Sequence, residues 1–226
     1  MRKSSSLRDN TSSLYYIFSL KEHINIPYLL SLPNSPMYFK TDSILYNNIF
    51  TDYLISTEID VDLNKLVEEA YVIEDNEIGI DKTNSGGYHS PLFEEANFSE
   101  FNRLREGIIA FSNHHLLNDL NVKYTVDRCS WWVNISGFKD SMDPHIHGDA
   151  DLIGVFYIKV PEDSGYLQLM NNGGAAYTKL GRLNSVFKCD TLPGRFYLMP
   201  GHMWHLVTTN YSHQSRITAA YNLYIN

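Results

Sequence analysis

The chain has 226 residues, enough for one well-packed domain and short for two, and its 26 acidic against 18 basic side chains give a net charge of −8. No Lys/Arg cluster longer than a pair occurs, so electrostatic binding to nucleic acid or to an anionic membrane surface is disfavoured. No apolar run approaches the roughly eighteen residues a membrane-spanning helix needs.

The opening "MRKSSSLRDNTSS" is basic at its start but lacks the apolar stretch of a signal peptide, and it reads as a flexible tail over residues 1–13 ahead of a single domain over 14–226. From Leu14 to Phe50 apolar and turn residues mix without a period, with Pro27, Pro33 and Pro36 interrupting, which predicts short strands and loops. "TEIDVDLNKLVEEAYVIEDN" then places Ile59, Leu63, Leu66, Val67, Ala70 and Ile73 at helical spacing, with Asp60 or Asp62 as the N-terminal cap. After the turn cluster "TNSGGYHS", the segment "FSEFNRLREGIIAFSNHHLLNDL" restores the helical period through Phe98, Phe101, Leu104, Ile108, Ile109 and Leu116, with Ser99 as cap. His114 and His115 at its tail point about a hundred degrees apart, cannot share a metal, and read as solvent-facing.

Beyond about residue 120 the chain changes to short β-branched and aromatic segments, "KYTVDRCSWWVNISGF", "DLIGVFYIKV", "GYLQLM", "GRFYLMP", "WHLVTT" and "SRITAAYNLYI", punctuated by Gly, Pro, Asn and Asp. Many short strands at this spacing predict a β-sandwich or barrel over about 121–226. Helices over about 58–120 brace one face of it, so the predicted fold class is α+β. The cysteines, Cys129 and Cys189, stand far apart without a CxxC pattern and read as buried free thiols of a cytoplasmic protein.

Metal-type ligands concentrate in "DPHIHGDAD". His145 and His147 lie two apart, so on a strand both rings leave the same face, and Asp149 keeps that phase if the strand continues through Gly148. Far downstream, "LMPGHMWHLV" offers His202 and His205. Two ligands from one strand and one from another leave the opposite side of the metal open, the facial arrangement of non-haem iron(II), while zinc is also compatible with the ligand type. Arg216 and Thr218 share one face of the last strand. An arginine deep in a small barrel is costly without an anionic partner, and no acidic residue adjoins it in sequence.

The succession "DPHIHGDADLIGVFYIKVPEDSGYLQL", "PGHMWHLV", "SRITAAYNLY", with "NSGGYHS" and "WWVNIS" upstream, resembles the iron(II)/2-oxoglutarate-dependent oxygenases over about residues 84–223. The likeness is to a prolyl-hydroxylase-like subfamily with an H-x-H…H…R pattern. It implies a double-stranded β-helix (jelly-roll) core and the use of iron(II), 2-oxoglutarate and O2, with succinate and CO2 released as a substrate C–H bond is oxidised. It also implies His205 as the distal iron ligand, Arg216 as the partner of the cosubstrate's far carboxylate, and Thr218, Tyr157, Asn222 and Asn134 as further cosubstrate contacts. The first two ligands depart from the H-x-D/E of the wider family. Either His145 and His147 both ligate, which is favoured, or His147 and Asp149 form an ordinary H-x-D.

Three neutral imidazoles would leave the dication uncompensated, whereas a carboxylate cancels one unit of charge. The leading functional reading is a hydroxylase acting on a small-molecule or peptide substrate. The alternatives are a cupin-like three-histidine enzyme without cosubstrate and a non-catalytic jelly-roll binding module. His202 is a candidate for the pocket mouth and His89 for a loop that covers the site, and Trp131, Trp132, Phe156, Tyr166 and Trp204 are candidates for either core or pocket wall. Oligomeric state, a homodimer included, is left open.

Overall fold

The computed structural model describes residues 38–39, 45–49, 52–118, 123–171 and 186–226. The tail over 1–13 lies outside the described residues. Of the strands and loops expected from Leu14 to Phe50, only β1 (Tyr38–Phe39) and β2 (Leu45–Ile49) fall within them. Eleven further strands follow: β3 (Asp52–Asp60), β4 (Asn84–Ser85), β5 (Tyr88–His89), β6 (Val126–Ser136), β7 (Ser141–His145), β8 (Leu152–Lys159), β9 (Leu167–Met170), β10 (Val186–Lys188), β11 (Arg195–Pro200), β12 (Trp204–Val207) and β13 (Arg216–Ile225). One sheet runs β1-β3-β11-β8-β13-β6-β5, with β2 also on β3, and faces a second of order β10-β9-β12-β7-β4. All the pairings are antiparallel.

The large sheet is covered on both faces, and the side-chain alternation along its strands sorts two environments. On β13, Ile217, Ala219, Tyr221 and Leu223 enter an outer core with Trp131, Val133 and Ile135 of β6 and Phe156 and Ile158 of β8. The intervening residues Arg216, Thr218, Ala220 and Asn222 are buried on the opposite face, toward the smaller sheet. The inner cluster of Leu54, Ile153, Tyr157, Leu167, Leu169, Tyr197, Met199 and Met203 closes one part of the space between the sheets. The alternation that fills the outer core thus leaves a polar strip pointing inward.

Two helices, α1 (Leu63–Asn76) and α2 (Ser99–Asn118), supply the cover of the outer core. Asp62 caps α1 by accepting from the backbone N–H groups of Asn64 and Lys65, both at 3.1 Å. Ile59, expected in this helix, ends strand β3 instead; its β-branched neighbourhood pairs with β11 and β1 before the chain turns at Asp62. Ser99 opens α2 rather than flanking it, and the capping acceptor comes from the other helix. The Glu69 carboxylate accepts from Glu100 N and Phe101 N at 3.1 Å and from Ser99 Oγ at 3.2 Å. Phe101 stacks on Trp131 with centroids 4.8 Å apart, which docks α2 on the sheet. His115 corrects the solvent-facing reading: it falls on the stripe of Leu104, Ile108 and Phe111, is 1 % exposed, and meets Phe111 edge-on at 4.3 Å. Cys129 and Cys189 are buried and free, and no described helix is long and apolar enough to cross a membrane.

Replacing Glu69 by Ala removes the acceptor for the first turn of α2 and is expected to lower stability by about 1–2 kcal/mol. Glu69→Gln should recover part of the loss in chemical denaturation. An unchanged midpoint for the alanine variant would show that solvent caps α2 equally well.

Candidate metal centre

Strand pairing brings two of the three histidines together before any ligand is considered. β7 runs antiparallel to β12 with His145 opposite His205, and their ring centroids are 4.2 Å apart. His147 lies two residues past the end of β7, so the two-residue phase predicted for a continuing strand does not place it. A turn does: His147 N donates to Gly201 O at 2.9 Å, Ala150 N to His147 O at 3.1 Å, and Gly201 N to Asp151 O at 2.9 Å. A Cβ on Gly201 would lie 1.9 Å from Ala150 O, so only glycine admits this approach. The result is that His147 faces His145 and His205 with centroids 5.2 Å away in each case.

One ligating nitrogen from each of His145, His147 and His205 lies within 4.8 Å of the others. Every Nδ1 is held by a carbonyl oxygen: Asp143 O for His145 at 2.7 Å, Met203 O for His205 at 2.8 Å, and Asn222 Oδ1 for His147 at 2.5 Å. Donation at Nδ1 puts the lone pair on Nε2, the form in which an imidazole binds a metal. Asp149 is exposed and stands outside the group. The donor set therefore fits a small divalent transition metal through three Nε2 atoms.

The same cavity is lined by Trp132, Asn134, Tyr157, Arg216 and Thr218, with Met142, Ile153, Leu167 and Val207 as apolar wall. Arg216 is 3 % exposed, and its Nη1 donates to the carbonyls of Ser164 and, at 3.4 Å, Thr208. Among the described residues it forms no ion pair; burial lowers its pKa, opposed by Tyr157 and Asp140. Among the described residues the buried Tyr157 O–H has no acceptor and the buried Asn134 Oδ1 has no donor. Burial pushes the Tyr157 phenol up, so it stays a protonated donor. A buried cation and an unsatisfied O–H in a cavity that opens on a metal-type triad are the complement of a carboxylate.

The remaining expected residues take different places. Asn222, grouped from sequence with the cosubstrate contacts, is not part of the cavity lining and instead holds His147. His89 is no loop cover: it sits in β5, 5 % exposed, stacked on Trp132 at 5.5 Å, and Trp132 stacks in turn on His147 at 5.5 Å. His202 is exposed in the turn before β12 and outside the lining. Trp131 and Phe156 belong to the outer core, Trp204 is 38 % exposed, and the Lys188 ammonium lies 4.8 Å above the Tyr166 ring. The Nδ1 acceptors escaped the sequence reading. Two are backbone carbonyls two residues upstream of their histidine, and the third is 75 residues distant.

All three imidazoles are pushed below their usual pKa. Burial is the main cause for each, and His205 falls to about 3, with the neighbouring His145 charge adding to the effect. The sign is that of a group that resists protonation, so at pH 7 the neutral forms needed for ligation are already present. Calorimetric titration of the apo-protein with Co(II) at pH 7.5, in buffers of differing ionisation enthalpy, should therefore show release of less than about one proton per metal. Release of one or more would mean that a ligand is protonated before binding.

Residues 130–222 match the family model described as "Putative 2OG-Fe(II) oxygenase". No curated protein sequence matches the chain. Among solved structures, a Pseudomonas putida prolyl-4-hydroxylase is similar with TM-score 0.59 at 9 % identity, over 77 % of this chain and 93 % of that one. A Trichoplax adhaerens prolyl hydroxylase in complex with a hypoxia-inducible-factor peptide gives 0.53 at 13 % identity, over 72 % and 77 %. The α-ketoglutarate-dependent epimerase SnoN of nogalamycin biosynthesis gives 0.53 at 12 %, over 74 % and 76 %. These likenesses establish the double-stranded β-helix fold. The stretch that matches the family model is the one that carries both the imidazole cluster and Arg216, and over that stretch the chain is similar to the 2OG-Fe(II) oxygenases, a family that uses iron(II), 2-oxoglutarate and O2.

Proposed function

We propose that the protein is a hydroxylase that holds iron(II) through Nε2 of His145, His147 and His205 and takes 2-oxoglutarate in the cavity beside it. The observation that carries this reading is the pairing, in one cavity, of a triad with every Nδ1 already engaged and a buried guanidinium without an ion-pair partner among the described residues. Iron(II) bound there would supply the O2-dependent oxidation of a substrate C–H bond, with 2-oxoglutarate converted to succinate and CO2.

The chain's own residues would bind and orient. Arg216 pairs with the far carboxylate of the cosubstrate, the Tyr157 hydroxyl donates to the same group, and Thr218 and Asn134 contact it from β13 and β6. Met142, Leu167 and Val207 exclude water around it. With imidazoles at all three protein positions, no vacant site is left for a halide, which supports oxygen transfer over halogenation. The substrate is a small molecule or a peptide. Structural neighbours include a peptide-bound prolyl hydroxylase, an epimerase and a carbocyclase, and hydroxylation is the outcome that needs no substrate group beyond a reachable C–H bond.

Anaerobic addition of iron(II) and 2-oxoglutarate should produce a weak visible charge-transfer band. Arg216→Gln should weaken 2-oxoglutarate about 10- to 100-fold, the loss expected for a charged hydrogen-bonded pair. A folded wild-type protein without the band contradicts the reading. A band insensitive to Arg216→Gln would place the cosubstrate's carboxylate elsewhere.

A further inference from the structure

We infer that Asn222 is a positioning residue for the metal centre, whose side-chain carbonyl fixes the tautomer and orientation of His147 without adding charge to it. The inference rests on the three-histidine reading above and concerns how that site is kept ready for a metal.

Asn222 sits on β13 opposite Ser130 of β6 and Ile153 of β8, so its backbone is locked on both sides by sheet pairing. The residue is 8 % exposed, and its Oδ1 lies 2.5 Å from His147 Nδ1. An oxygen acceptor at that distance requires the proton on Nδ1 and leaves the lone pair on Nε2, toward His145 and His205. The other two rings receive the same service from the main chain, at Asp143 and Met203. Those carbonyls travel with the histidines they orient. His147 lies beyond the end of β7, where no strand fixes its ring, and its acceptor must come from another part of the chain.

The choice of an amide also has an electrostatic consequence. Aspartate has nearly the same shape and would offer the same acceptor, but its charge would draw the Nδ1 proton and make His147 a more basic, partly anionic ligand. With asparagine the protein's ligand set stays neutral, and compensation of a bound dication falls to the anionic cosubstrate. Asn222 therefore favours the cosubstrate at some expense in metal affinity.

The test uses the full-length apo-protein and Co(II), with affinity read by chelator competition through the visible Co(II) bands, together with the His147 tautomer read by imidazole ¹⁵N NMR without metal. Asn222→Leu should shift His147 away from the Nδ1–H tautomer and weaken Co(II) binding about 10- to 100-fold. Asn222→Asp should keep the tautomer and bind Co(II) at least as tightly as wild type, while binding 2-oxoglutarate more weakly. Equal Co(II) affinity in wild type and Asn222→Leu would overturn the role, as would Asn222→Asp binding Co(II) about tenfold more weakly than wild type. Should the leucine variant fail to fold, the aspartate variant alone decides. Wild-type protein that binds no Co(II) would refute the metal reading, whereas a metal-free His147 tautomer that is the same in wild type and Asn222→Leu would refute the positioning role alone, so the two failures are told apart.

Discussion

The structure turns on the direction in which three imidazole rings face. Each ring donates its Nδ1 proton to a carbonyl oxygen, which leaves the Nε2 lone pair available on all three, and one ligand atom of each ring lies within 4.8 Å of the others. Such a bond contributes about 1 kcal/mol net, but its directional effect is larger than its energy, because the opposite tautomer would leave no Nε2 lone pair to offer a metal. The sheets supply the coarse alignment, through the pairing of His145 with His205. The 146–150 turn, pinned against Gly201, supplies the third ring, and Asn222 fixes the direction in which that ring faces.

β13 ties this centre to the rest of the cavity. Arg216, Thr218, Ala220 and Asn222 occupy alternate positions on one face, so the guanidinium and the amide that holds His147 are set six residues apart on a single rigid strand. The opposite phase of the same strand fills the outer core against α2 and β6. A one-residue slip of register would exchange the two sets and bury isoleucine and tyrosine in the cavity. Packing by the helices thus holds the geometry of the site, although neither helix lines the cavity.

Much of this was legible in the sequence because it depends on local period. Strand alternation in "SRITAAYNLY" and "WWVNIS" exposed the inward phase, and the helical stripes of α1 and α2 were plain from their apolar spacing. That stripe also carried the signal that His115 is buried, since it lies seven residues after Ile108 and four after Phe111; its chemical type obscured the spacing. What local period could not disclose was tertiary. Glu69 caps a helix about 30 residues further on, Asn222 serves a histidine 75 residues earlier, and His89 stacks on Trp132 because β5 pairs with β6. Ile59 reads as helical in the sequence because strand and helix patterns overlap where β3 runs into α1.

The competing ligand, Asp149, differs from His145 in charge as well as position, and the two arrangements predict different centres. The most direct test is a crystal structure of the protein grown anaerobically with iron(II) and 2-oxoglutarate. The geometry described here predicts metal density joined to Nε2 of His145, His147 and His205, with the cosubstrate's far carboxylate on Arg216. Metal bound by His147, Asp149 and His205, with His145 turned away, would contradict it.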